Sequence, residues 1–226
     1  MEIKSVLPQY DNSINNDSEL STLEGLTTAR IENLSDGVFS IAMTLLVLDL
    51  KLPVDVHLNH LSTVINTLGP QFLSYFLSFI VLGSLWVGHH NQFHWIQVSN
   101  RKFLWINIMF LSFISLIPFV TILLRAHEFE PLAIMIYGIN ILLCLSLLYF
   151  NWVYATHKHR LVTASLTKRT IHVIQARILV VIFLYAIGIL VSFVEPILSL
   201  IIFIIVQVLF IVPARYILNI ASHMRE

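Results

Sequence analysis

Charged side chains are scarce in this chain: they make up 12% of 226 residues, and the 13 basic and 13 acidic groups cancel. So sparse and balanced a set gives no basic face of the kind that nucleic-acid binding requires. Cys144, the single cysteine, falls inside an apolar stretch and carries no information on redox compartment. Neither an HExxH pair nor repeated histidine boxes occur, so no cofactor, no metal and no catalytic constellation are expected, and the chain does not read as an enzyme. Residues 1–29 lack the basic n-region and small-residue cleavage site of a signal peptide. No segment repeats with the period of a solenoid.

Apolar side chains are what the chain has instead, at 57% of residues and a mean hydropathy of +0.83, a composition for lipid rather than water. A helix needs about 20 mostly apolar residues to cross about 30 Å of hydrocarbon. Six stretches satisfy this, near 33–52, 69–92, 103–124, 132–154, 177–195 and 197–217. The fold expected is an all-α integral membrane protein with six transmembrane helices. Three regions follow: a polar arm over 1–29, a six-helix membrane domain over 30–217 and a short tail over 218–226. Eleven of the 13 Lys and Arg residues lie in the arm, the 93–102 loop, the 155–177 loop and the C-terminus, against Lys51 and Arg125 on the other side. The positive-inside rule therefore puts both termini in the cytoplasm. The basic 155–177 loop reads first as topogenic charge and second as a contact for anionic headgroups.

Polar residues inside the apolar stretches are few enough to name. The first helix, RIENLSDGVFSIAMTLLVLDLKLP over 30–53, carries Arg30, Ser35 and Asp36 at its start and then a long apolar run. An Asp at a helix centre costs roughly 2.5 to 3.5 kcal/mol on insertion scales, so Asp36 belongs near an interface or with a partner. His89, near the cytoplasmic end of the second helix, sits at the right depth to supply one. No file of carboxylates crosses the membrane, which argues against a carboxylate proton relay. A six-helix bundle this apolar does not easily enclose a wet channel, whereas a symmetry axis between subunits can.

At 100° per residue, Leu34, Gly37, Ile41, Thr44, Leu45, Leu48 and Leu52 form one stripe of the first helix, and Asp36, Phe39, Met43, Leu46 and Leu50 the opposite one. The first stripe fits either a pore wall of aliphatic rings with one hydroxyl layer or an ordinary lipid-facing or core surface. In the second helix, His90 and His94 have metal-ligand spacing but few nearby carboxylates, and Trp95 and His94 suit an interfacial belt.

These residues resemble the first-helix signature of the transmembrane protein 175 family, lysosomal potassium channels and their prokaryotic homologues. That motif is Arg, three variable residues, then Phe-Ser-Asp; Arg30, Ser35 and Asp36 match, and Leu34 replaces the Phe. Trp86 and His89 of the second helix, and Trp105, Asn107 and Pro118 of the third, resemble the family as well. The resemblance covers roughly residues 27 to 125. It implies a homotetramer of single-repeat subunits in a prokaryotic cell membrane, conducting potassium with modest preference over sodium through a pore lined by helix 1. It further implies a constriction at Ile41, Leu45 and Leu48 with Thr44 contributing to selectivity, and a structural polar network of Arg30, Ser35, Asp36, Trp86, His89 and Asn107. No TVGYG-type filter is present, so a hydrophobic gate is expected. Proton permeation and ion-coupled secondary transport are the alternatives; the latter would call for paired Gly/Pro breaks, for which Pro118 and Gly138 are poor candidates.

Overall fold

The computed structural model describes residues 28–48, 50–51, 61–127 and 130–211. Nearly all of the expected N-terminal arm, the whole tail, Asp49 and Leu52 lie outside the described residues. Among the described residues six α-helices follow one another: α1 (Thr28–Val47), α2 (Leu61–Phe93), α3 (Arg101–Ala126), α4 (Pro131–Thr156), α5 (Lys168–Val191) and α6 (Pro196–Ile211). A 3-10 turn, His157–His159, extends α4. Among the described residues four of these helices are long and apolar enough to cross a membrane, over Leu68–Phe93, Arg101–Ala126, Pro131–His159 and Lys168–Val191. The apolar α6 is shorter, and the first turns of α1 carry Arg30, Glu32 and Asp36.

The helix limits differ from the hydropathy estimate for identifiable reasons. Helix α1 begins before residue 33 and ends at Val47 rather than 52, where Leu50 N donates to Val47 O in a turn and Lys51 N to Gln71 Oε1 at 3.2 Å. Helix α2 starts well before residue 69 and runs through Pro70; Ser74 Oγ donates to the Pro70 carbonyl at 3.0 Å. The expected 155–177 loop is largely helical. Thr167 caps α5 through Thr170 N, so the polar run from Lys168 to Arg177 belongs to its first turns.

Consecutive helices pack against each other, α3 most extensively on α4, then α4 on α5 and α5 on α6, while α1 lies on both α2 and α3. The main core joins Phe39, Leu85, Phe110, Ile114, Tyr137, Tyr185 and Phe203, all at most 1% exposed. Phe203 of α6 stacks on Tyr185 at 4.8 Å between ring centroids. It fits only because Gly138 and Gly188 face it: a Cβ at Gly188 would lie 2.5 Å from its ring, and one at Gly138 2.9 Å. The two basic loops meet at one end of the bundle through an antiparallel bridge, Ile96 to Val162, with Gln97 N donating to Leu161 O and Thr163 N to Trp95 O. Beneath it a second core gathers Ile31, Phe93, Phe103, Trp152 and Ile171. The start of α1 is thereby fastened to the same end as both loops.

Candidate functional site

Helix α1 presents two unlike faces. Ile31, Ser35, Phe39, Ala42 and Leu46 are buried, a stripe that tracks the 3.6-residue period. On the far side Leu34, Ile41 and Leu45 are 49, 61 and 43% exposed with Thr44 exposed among them, and Leu48, in the turn just past the end of α1, is 69% exposed. The stripe that includes Ile41, Thr44, Leu45 and Leu48 therefore covers no part of its own bundle. The buried stripe is rotated from the one expected opposite it, by about 60° at 100° per residue. Asp36 and Met43 consequently flank the buried face instead of lying within it.

The polar groups at the start of α1 are joined to α2 and α3. Asn107 of α3, fully buried, accepts at Oδ1 from His89 Nε2 at 2.9 Å and donates from Nδ2 to Ser35 Oγ at 3.3 Å. Ser35 Oγ donates to Ile31 O at 2.9 Å. Each donor in the chain His89 to Asn107 to Ser35 to Ile31 thus has one acceptor, and that fixes the Asn107 amide orientation and puts a hydrogen on His89 Nε2. The His89 ring lies between Phe93, at 4.4 Å, and Phe110, at 5.5 Å and nearly parallel. Phe39 of α1 touches the same group at 6.2 Å.

Asp36 does not meet His89 by a hydrogen bond, contrary to the pairing expected from depth. Its carboxylate accepts from Trp86 Nε1 at 2.7 Å, a short charge-assisted bond one helical turn away from His89. Trp86 and His89 are three residues apart, so depth could not choose between them; the azimuth of α2 does. Arg30 is exposed, and no hydrogen bond joins it to this cluster among the described residues. Leu34, which replaces the Phe of the motif, points outward and takes no part in the packing around His89. Phe93 and Phe110 were not foreseen as partners of the network. Their positions, four residues after His89 and three after Asn107, are the helical neighbours where ring contacts form.

His90 and His94 are engaged with aromatic rings. His90 stacks on Trp86 at 5.5 Å, and His94 meets Trp95 edge-on at 5.2 Å. Among the described residues no group of three or more His, Cys, Asp or Glu side chains is arranged to hold a metal ion. Thr44 Oγ1 donates back to its own helix, to Ser40 O at 3.0 Å and Ile41 O at 2.9 Å, which leaves its oxygen lone pairs outward.

Long apolar helices packed on one another, with a polar clasp between the first three, define a multi-pass, all-helical membrane protein. Residues 30–118 match the family model described as endosomal/lysosomal potassium channel TMEM175, the family that the first-helix motif resembles. A potassium channel of a Chryseobacterium species is 34% identical over 118 residues, 52% of this chain and 59% of the relative. A potassium channel of Chamaesiphon minutus is 37% identical over 108 residues, 47% of this chain and 53% of the relative. The human endosomal/lysosomal proton channel TMEM175 is 36% identical over 103 residues, 42% of this chain and 20% of that protein. The matched part of the chain thus spans between about half and three fifths of these bacterial relatives. The crystal structure of a lysosomal potassium-selective channel TMEM175 homolog from Chamaesiphon minutus superposes with a TM-score of 0.72 at 27% identity, covering 81% of this chain and 95% of that one.

Proposed function

We propose that this chain is one subunit of a homotetrameric, potassium-permeable channel in the cell membrane, with the outer face of α1 lining the axis. The observation that carries this reading is the aliphatic stripe of Leu34, Ile41, Leu45 and Leu48, interrupted by one hydroxyl at Thr44, on a helix clasped to its bundle from the other side. The interior beside α1 is filled by Phe39, Leu85, Phe110 and Ile114, each at most 1% exposed, which favours an axis between subunits over a path beside α1 within one. Four copies about an axis would turn each stripe residue into a ring. Rings of Ile41, Leu45 and Leu48 would dewet when narrow and act as a hydrophobic gate. Thr44, its proton already committed to α1, would offer oxygen lone pairs to a passing cation.

The network of Ser35, Asp36, Trp86, His89 and Asn107 is structural in this reading: it sets the rotation of α1 and thus which residues reach the axis. Positive-inside charge supports a cytoplasmic location for both termini. The names of the bacterial relatives support potassium as the permeant ion. A second reading, proton conduction through the same axis, is favoured by the proton-channel name of the human relative.

Purified protein in planar bilayers under a potassium/sodium bi-ionic gradient tests this, with a proton gradient as a second arm. Passive current reversing toward the potassium potential is expected. Reversal that follows the proton gradient supports the second reading, and uptake that requires such a gradient without passive current refutes both.

A further inference from the structure

Beside the clasp, a groove of about 940 Å³ runs between α2, α5 and α6. Helices α4 and α6 join α5 to the rest of the bundle, while α2 and α5 scarcely touch, and the groove occupies the gap between them. From Phe79 to His94 it follows α2 for about 22 Å at 1.5 Å per residue. Apolar groups such as Phe79, Ile80 and Ile178 line it. Arg169 and His94 lie at its end nearest the basic loops and Arg177 about 12 Å further along α5, and among the described residues no Asp or Glu lines it anywhere.

Two polar groups there have no partner among the described residues. Gln92, 2% exposed, donates from Nε2 to Leu148 O at 3.0 Å, but its Oε1 accepts nothing. Arg177 donates from Nη2 to Phe210 O and lies 5.3 Å over the Phe210 ring, yet its Nε is unpartnered. The structure therefore leaves one buried acceptor and one buried cationic donor along a groove lined by apolar and basic groups. We infer that this groove seats one anionic phospholipid, its phosphate held by Arg169 and Arg177 and an acyl chain lying between α2 and α5. A neutral zwitterionic lipid would bring its own cation against the two arginines. The inference needs only the membrane-spanning fold, not ion conduction.

Native mass spectrometry of the detergent-purified full chain, titrated with phosphatidylglycerol or phosphatidylcholine, tests it without any current being measured. Phosphatidylglycerol is expected to bind in preference. Two cations at about 1 kcal/mol each translate into roughly 25-fold weaker binding for Arg169→Gln with Arg177→Gln, and about fivefold for Arg169→Gln alone. Arg169 is exposed, so its single variant keeps the fold. Val87→Trp, at an exposed position lining the groove, is expected to displace the lipid by filling its space. Equal retention of the two lipids overturns the assignment, as does unchanged phosphatidylglycerol binding in Arg169→Gln or Val87→Trp. Competition by soluble glycerol phosphate at the lipid's own concentration overturns it too, since a free anion site would then suffice.

Discussion

The two faces of α1 use the same twenty residues for opposite purposes. One face is dense with mutual contact: Phe39 and Leu46 in the core, and Ser35 in a hydrogen-bonded chain through Asn107 to His89. The other is aliphatic and makes no use of its own bundle, with Ile41 and Leu48 more than 60% exposed. In water such a stripe would be driven inward, but lipid tails are as apolar as leucine, so burial in the bundle is not selected by solvent alone. In the proposed reading, the polar clasp selects the face. Asn107 Nδ2 reaches Ser35 Oγ in only one rotation of α1, and in that rotation the aliphatic stripe is on the outside.

Substitutions on the two faces should therefore separate stability from conduction. The largest loss is expected for Phe39→Ala, about 3 kcal/mol by thermal unfolding in detergent, because it removes a ring 1% exposed and leaves a cavity beside His89 and Phe110. His89→Ala comes next at about 2 kcal/mol. It takes the donor from Asn107 Oδ1 and the ring from between Phe93 and Phe110, and a smaller effect than that of Leu45→Ala would break the contrast between faces. Trp86→Phe removes the donor to Asp36 and should cost about 1 kcal/mol, in the range of interhelical hydrogen bonds in membranes; Asp36→Asn, which keeps an acceptor, should cost less in the same assay. Leu45→Ala closes the series at under about 0.5 kcal/mol, with altered conduction as its only marked effect.

Much of this was legible in the sequence because lipid imposes a simple rule on composition. Six apolar stretches correspond to the six helices, and the stripe of Ile41, Thr44, Leu45 and Leu48 was visible as a period. The helix ends were less legible. Hydropathy misses a polar first turn such as Lys168 to Ile171, which is helical because Thr167 caps it, and it cannot see that α2 tolerates Pro70. The partner of Asp36 was illegible for a different reason. Trp86 and His89 lie at similar depth, and only the packed rotation of α2 against α1 gives the carboxylate to the indole and the imidazole to Asn107. Gln92 and Arg177 gave no warning either, since the groove they share joins α2 to α5, helices far apart in the chain.

Single-channel recording of the wild-type protein and Ile41→Asn side by side, under the same potassium/sodium gradient, tests most directly that the outer face of α1 forms the ion path. The account predicts a passive potassium-preferring current in the wild type. It also predicts a larger, less selective current in the variant, whose thermal unfolding is little changed because Ile41 is 61% exposed on its own subunit. Identical conductance and selectivity in the two proteins would contradict it and move the constriction away from α1.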